Sequence, residues 1–141
     1  RAQVRIDVDH IVAIARQLAR GIELFLVEGA GGWHTPISSQ ESMADVARAL
    51  AMPVLLVVGL KLGCLNHARL TATAIRDSGC RFGGWAGSQL SEDFAALEEN
   101  LATLEQLLGA APLALLPYRP DHNGDAQALG GAVAQLLAGP R

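Results

Sequence analysis

The sequence is poor in aromatic residues and in cysteine, and each shortage excludes a class of function. Aromatic residues make up 4% of the 141 residues and the net charge is −3, which argues against a nucleic-acid partner. The two cysteines form no CxxC pair, so we expect a reduced, cytoplasmic protein. The longest apolar run, Met52–Leu60, is about half as long as a membrane span requires, so no membrane association is expected.

Half of the sequence is hydrophobic, and its apolar residues alternate between strand-like and helix-like segments. Continuous apolar bursts predict buried parallel strands, and segments of helical period predict amphipathic helices. The predicted strands are Glu23–Val27, Pro53–Val58, Arg81–Trp85 and Leu113–Leu116. The predicted helices are Val8–Leu18, Met43–Leu50 with Ser42 as N-cap, Ala68–Arg76 with Asn66 as N-cap, Phe94–Leu108 and Ala126–Leu137. This alternation favours one α/β domain over residues 1–141 with a doubly wound, mainly parallel sheet.

A glycine-rich loop, residues 28–36, follows the first predicted strand. Ligands gather at the carboxyl ends of strands in open parallel sheets. Three glycines in four positions, Gly29, Gly31 and Gly32, let backbone N–H groups approach an anion closely. Glu28, where the strand ends, is placed like an acidic residue that holds Mg²⁺ in phosphoryl transfer. The alternative is a glycine-rich turn with a solvated glutamate.

The loop after the second predicted strand, residues 59–67, is the other candidate site. It contains two glycines, the only lysine of the chain, Lys61, and a predicted helix start, a combination typical of anion binding. The alternative is that Asn66 is a plain N-cap and Lys61 a surface residue. By themselves, residues 86–89 and 117–124 indicate turns. The four histidines lack the spacing of a zinc site.

Two motifs resemble the dethiobiotin synthetase family: Val27–Trp33 joined to Thr35–Pro36, and Val57–His67. A weaker similarity continues through Gly84–Trp85 and Leu116–Tyr118, so the resemblance covers most of the chain. It implies a fold of the P-loop NTPase class and a cytoplasmic homodimer. It also implies an ATP- and Mg²⁺-dependent ligase that closes a ureido ring on 7,8-diaminopelargonate with CO₂.

The resemblance also implies roles for individual residues. The phosphates of ATP would lie against Glu28, Gly29, Ala30 and Gly31, with Glu28 also binding Mg²⁺. The diamine pocket would include Thr35 and Pro36. The substrate carboxylate would be bound across the dimer interface by Gly63, Cys64, Leu65 and Asn66. The base and ribose would contact Ser88, Gln89, Pro117, Tyr118 and Arg119.

Two departures from the family pattern change these expectations. The family usually has asparagine where Ser88 stands, and a hydroxyl cannot make the same paired contact with adenine, so adenine selectivity does not carry over. The sequence also has no G-x-x-x-x-G-K-[ST] motif. The resemblance therefore implies a fold incomplete at its N-terminus, and no catalytic residue is assigned in this chain.

In the family, the strand that carries the phosphate loop lies between the equivalents of Glu23–Val27 and Pro53–Val58. Without it, rows of backbone groups in the sheet are unpaired. We therefore expect the carboxy-terminal part of a dethiobiotin synthetase, inactive alone, whose sheet is completed by an upstream segment, with a second polypeptide as an alternative source of the missing strand. A rearranged sheet is the other structural possibility. The functional alternative is a non-catalytic dimerisation or ligand-binding module, and an amidotransferase of the cobyric acid synthase type is disfavoured because its Cys–His pair is not recognisable.

Overall fold

A three-stranded parallel sheet with helices packed against it forms the centre of the structure. The computed structural model describes residues 6–120 and 126–138. Within them the strands are β1 (Val54–Leu60), β2 (Phe82–Gln89) and β3 (Ala114–Leu116). The helices in the same residues are α1 (Val8–Leu18), α2 (Met43–Leu50), α3 (Cys64–Asp77), α4 (Leu97–Leu108) and α5 (Ala126–Ala138). The predicted α/β class with a parallel sheet is confirmed.

The pairing of β2 with both neighbours aligns the ends of the three strands. The strand order is β1-β2-β3, and both pairs are parallel. Ser88 pairs with Gly59 on β1 and with Leu116 on β3. Parallel strands end at one edge of a sheet, so the loops that follow β1, β2 and β3 start side by side.

The main hydrophobic core lies between the sheet, α3 and α4. Its buried members come from the sheet and from both helices: Val58, Leu60, Cys64, Ala68, Ala72, Trp85, Leu104 and Leu108. The Trp85 side chain is 0% exposed, and its indole N–H donates to the carbonyl oxygen of Ala110 at 2.8 Å. Arg76 extends this packing, because its guanidinium lies over the Phe82 ring and donates to the Leu108 carbonyl oxygen. These contacts fix α3 and α4 on the sheet.

A second, smaller core joins α1 to α2. Val8, Val12 and Val46 are its buried members. The side chain of Asp7 caps α1 by accepting a hydrogen bond from the His10 amide, and Ser42 caps α2 as predicted. Helix α5 packs against β2 and β3, and helix α3 packs against β1 and β2. In the described residues, no helix combines the length and apolarity needed to span a membrane.

The first predicted strand, Glu23–Val27, is wrong, because these residues form no strand in the structure. Leu24, Leu26 and Val27 are 41–61% exposed instead of buried. A strand forms only where a neighbour accepts its backbone hydrogen bonds, and no described strand lies beside this segment. The edge of β1 that faces away from β2 is likewise unpaired within the described residues, and Val57 there is 54% exposed.

The other predicted strands are confirmed, with shifted ends. β1 runs two residues beyond the predicted end, and β2 extends to Gln89. The turn predicted over residues 86–89 is therefore wrong, because these residues pair with β1 as part of β2. The N-cap predicted at Asn66 is wrong, because α3 starts at Cys64 and Gly63 holds the N-cap position. Gly63 has φ +91°, a conformation that glycine adopts without a steric penalty, and this lets the chain turn into the helix earlier.

We predict that Trp85→Phe lowers the free energy of unfolding by about 1–3 kcal/mol, because it removes the hydrogen bond to the Ala110 carbonyl oxygen and leaves space where the fully buried indole packs. The matched control is Trp33→Phe. The Trp33 indole nitrogen is also shielded from solvent but has no hydrogen-bond partner among the described residues. Urea unfolding of both variants measures the difference, and equal losses would contradict this account.

Candidate functional site

Three of the four candidate loops meet at one edge of the sheet. They are the loop after β1, the end of β2 and the loop after β3, which start beside the paired residues Gly59, Ser88 and Leu116. The glycine-rich loop, residues 28–36, follows a segment outside the sheet. Its contacts run to the start of α2 instead. The structure therefore joins the predicted base, ribose and carboxylate residues and holds the predicted phosphate loop separately.

The glycine-rich loop is closed by a tight turn between Gly32 and Thr35. The Gly32 N–H donates to the Thr35 hydroxyl oxygen at 2.6 Å, and the Thr35 N–H donates to the Gly32 carbonyl oxygen at 3.0 Å. Gly31 precedes the turn with φ +77°. A Cβ atom at Gly31 would collide with the Thr35 hydroxyl oxygen, so a glycine is required there.

The start of α2 supports this turn. The Met43 N–H donates to the Thr35 carbonyl oxygen at 2.9 Å, and Pro36 forms an antiparallel bridge with Ser42. The Asp45 carboxylate accepts from both the hydroxyl and the backbone N–H of Ser42 at 2.8 Å. These two hydrogen bonds, with a smaller contribution from Arg48, hold the pKa of Asp45 below its ordinary value. The charged carboxylate therefore favours the folded state above about pH 4, and this contribution is lost on acidification.

Glu28 is the candidate metal ligand, and it is exposed at the beginning of the loop. No group of three His, Cys, Asp or Glu side chains able to hold a metal was found in the described residues. A single carboxylate does not make a cage for a transition metal. It fits Mg²⁺, which keeps several waters and is bound through one or two carboxylates together with substrate phosphates.

The start of α3 provides free backbone donors. The Cys64 N–H donates to the Lys61 carbonyl oxygen at 3.0 Å and the His67 N–H to the Gly63 carbonyl oxygen at 3.2 Å. The N–H groups of Leu65 and Asn66 have no partner within the described part of the chain. Free amides at a helix start, with the positive end of the helix dipole, favour a bound anion.

The predicted carboxylate residues contribute through different groups. The Cys64 side chain is buried, with its Sγ 4.0 Å from Oδ1 of Asn100, so only its backbone faces the loop. An open cavity lies beside it, between β1 and α3. Lys61 and His67, two side chains that can carry positive charge, line this cavity with Leu56, Val57, Val58, Gly59, Cys64, Ala68, Thr71 and Leu90.

The predicted base and ribose residues flank the ends of β2 and β3. Ser88 is half-buried, and the Gln89 side-chain amide donates to the Glu92 carbonyl oxygen at 3.4 Å. Pro117, Tyr118 and Arg119 are exposed directly after β3. Residues 121–124 of the predicted loop lie outside the described residues. These five side chains therefore start from adjacent positions on one sheet edge.

Sequence reasoning missed two residues that hold the site in place, Met43 and Asn100. Met43 binds the glycine-rich loop through its backbone, which no sequence pattern reveals. Asn100 lies in α4, and its amide donates to the Ala96 carbonyl oxygen at 2.7 Å while its oxygen faces Cys64. A polar residue with low helix propensity among the leucines of α4 was the available signal.

Comparison with known proteins assigns the fold to a family. The model of a P-loop NTPase family described as an AAA domain matches residues 1–126. The chain belongs to this family. The AAA domain is also similar to several curated proteins named ATP-dependent dethiobiotin synthetase BioD, and the resemblance read from the motifs is thereby confirmed.

Three of these relatives show how far the similarity extends. The protein of Xanthomonas oryzae pv. oryzae is 42% identical over 127 residues, which is 90% of this chain and 57% of the relative. That of Chromohalobacter salexigens is 44% identical over 140 residues, which cover 93% of this chain and 59% of the relative. That of Pseudomonas aeruginosa is 48% identical over 105 residues, 74% and 46%. The chain spans about half the length of the curated relatives it matches.

We predict that Gly31→Ala lowers the free energy of unfolding by at least about 1–2 kcal/mol, the cost of a left-handed conformation for a residue with a Cβ atom. The collision with the Thr35 hydroxyl oxygen adds to this cost. Gly32→Ala is the matched control, because its Cβ would lie 4.0 Å from the same oxygen, in ordinary contact. Urea unfolding measures the free energy of unfolding of both variants. An equal loss in Gly32→Ala and Gly31→Ala would show that the turn is not built as described.

Proposed function

We propose that this AAA domain is the carboxy-terminal part of an ATP-dependent dethiobiotin synthetase. In this function the protein closes a ureido ring on 7,8-diaminopelargonate with CO₂ and ATP. The observation that carries the proposal is the similarity to relatives with that name, 44% identity over 140 residues in one case. The free amides at the start of α3 and the glycine-rich loop support it, because each suits an anionic group of these substrates.

The glycine-rich loop is the proposed phosphate side of the site. Glu28 would hold Mg²⁺ there, and the bound metal would supply neutralisation of the phosphate charge. The N–H groups of Gly29, Ala30 and Gly31 have no partner within the described residues, so they are available to phosphate oxygens. Thr35 and Pro36, at the end of the same loop, would border the diamine. The carbamate formed from the diamine and CO₂ would then attack the γ-phosphorus of ATP and release ADP, and the second amine would close the ureido ring by displacing inorganic phosphate from the mixed anhydride.

The start of α3 is the proposed site for the substrate carboxylate. The N–H groups of Leu65 and Asn66 and the side-chain amide of Asn66 would bind it, and Gly63 and Cys64 would shape the turn. Lys61 adds positive charge nearby. We propose that this site faces a second copy in a homodimer. Leu62, 95% exposed, and Leu70, 60% exposed, support such an interface, because both are large apolar side chains in contact with solvent.

A further strand is proposed to complete the sheet in the whole protein, between Glu23–Val27 and β1. The unpaired edge of β1 and the exposed apolar side chains of the first segment support this placement. So does the indole N–H of Trp33, which is shielded and without a partner among the described residues. That strand would lead into the G-x-x-x-x-G-K-[ST] motif of the family and its lysines, a motif that this sequence does not contain.

The decisive experiment measures dethiobiotin formation by the protein at its full encoded length. We expect turnover with diaminopelargonate, bicarbonate, ATP and Mg²⁺, and none from residues 1–141 alone. Glu28→Gln should lower kcat on the order of 100-fold, because it removes the negative charge that is proposed to bind Mg²⁺. The matched control is Glu23→Gln, an exposed carboxylate five residues earlier.

Three outcomes would contradict the proposal. Equal losses in the Glu28 and Glu23 variants would remove Glu28 from the metal site. Turnover by residues 1–141 alone would show that no further segment is needed. Binding of diaminopelargonate without any nucleotide affinity in the full-length protein would favour the alternative, a non-catalytic ligand-binding module.

We also predict weak selection of the nucleotide base. A hydroxyl at Ser88 cannot form a paired contact with adenine, and the neighbouring Gln89 amide donates to Glu92. We expect Ser88→Asn to raise the ratio of kcat/KM for ATP to that for GTP about tenfold, since a paired amide contact contributes about 1–3 kcal/mol. Ser91→Asn, two residues after β2, is the control. An unchanged ratio in Ser88→Asn would place the base elsewhere.

A further inference from the structure

Thr35 is joined to Gly32 by two hydrogen bonds of different kinds. One uses its side chain, whose hydroxyl oxygen accepts from the Gly32 N–H at 2.6 Å. The other uses its backbone, whose N–H donates to the Gly32 carbonyl oxygen at 3.0 Å. The hydroxyl therefore satisfies a backbone donor of the glycine-rich loop. This use is different from the role that the resemblance implies, in which Thr35 helps to form the diamine pocket.

The same hydroxyl fills the space beside Gly31. A Cβ atom at Gly31 would meet the Thr35 hydroxyl oxygen, and the Thr35 Cγ2 and Cβ atoms lie 3.0 and 3.2 Å from that position. The Thr35 side chain is thus packed against the backbone of the residue before the turn. Gly31 keeps its left-handed conformation, φ +77°, with this side chain as its neighbour.

The turn is also anchored from the other side, by α2. The Thr35 carbonyl oxygen accepts from the Met43 N–H at 2.9 Å, and the Met43 methyl group lies 3.4 Å from the position of a Cβ at Gly29. The capping box of Ser42 and Asp45 fixes the first turn of that helix. Thr35 therefore links a rigid helix start to the loop that begins at Glu28.

The backbone donors of the loop are divided into two groups. The Gly32 N–H is used by Thr35, whereas those of Gly29, Ala30 and Gly31 have no partner within the described residues. A loop with three open amides in a row binds an anion well only if it is held in one conformation beforehand, since ordering it on binding costs free energy.

We propose that Thr35 is a positioning residue for the phosphate side of the site. Its hydroxyl holds the Gly32 N–H, and this fixes the conformation in which Glu28 and the three open amides receive a magnesium-bound nucleoside triphosphate. The inference rests on the proposed function for the identity of that ligand. It differs from the role implied by the resemblance, because the hydroxyl acts through Gly32 and not by touching the diamine.

The first test measures hydrogen exchange at the Gly32 amide in the full-length protein, labelled with ¹⁵N-glycine and followed by saturation transfer from water. Thr35→Val keeps the shape and removes the hydroxyl, so we expect exchange to accelerate about fivefold. Thr35→Ser keeps the hydroxyl and should restore the slow exchange. The matched control is Thr103→Val, which removes a hydroxyl that donates to the Glu99 carbonyl oxygen in α4.

The second test measures KM for both substrates in the same variants. We expect Thr35→Val to raise KM for magnesium ATP about fivefold while KM for diaminopelargonate stays within about twofold. Thr103→Val should leave both values unchanged. A purely structural role would lower the melting temperature without separating the two KM values.

Each result decides a different point. Unchanged Gly32 exchange in Thr35→Val, or equal effects in Thr103→Val, would overturn the positioning role. Faster exchange with a raised KM for the diamine alone would show that the hydroxyl contacts the diamine, which also overturns it. Absence of any turnover by the wild-type protein would refute the proposed function, and the exchange measurement would still decide whether Thr35 holds Gly32.

Discussion

The backbone pairing of β2 with β1 and β3 is the interaction on which the rest of the structure depends. Parallel pairing sets Gly59, Ser88 and Leu116 side by side, and each of these residues precedes or begins a candidate loop. The core between the sheet, α3 and α4 then fixes where α3 starts. The open amides of Leu65 and Asn66 are therefore positioned by strand pairing and by a core that includes the neighbouring Cys64.

The glycine-rich loop is organised by other means, because its preceding segment has no strand beside it in the part of the chain that the structure describes. Its geometry comes from short-range contacts among Gly32, Thr35 and Met43, supported by the capping box at Ser42. The two halves of the candidate site are thus held in place by different interactions. Strand pairing places the residues proposed to bind the carboxylate and the base, and local hydrogen bonds shape the loop proposed to bind the phosphates.

The sequence predicted the elements whose formation depends on the local pattern of residues. It failed where pairing with another segment or the backbone conformation decides the structure. Apolar bursts identified β1, β2 and β3, whose partners are present, but Glu23–Val27 has the same pattern and forms no strand. Asn66 has the chemistry of an N-cap, yet the left-handed conformation of Gly63 starts α3 earlier. The motifs located the glycine-rich loop and the turn before α3, whereas residues 86–89, predicted as a turn, belong to β2. Their hydrogen bonds, such as Thr35 to Gly32, depend on backbone geometry that composition does not encode.

The edge of β1 that is unpaired within the described residues has a consequence for how this chain meets other extended segments. Val57 and the backbone groups beside it form a ready template for any extended segment, including one from another copy. Correct assembly and aggregation then compete for the same row of donors and acceptors.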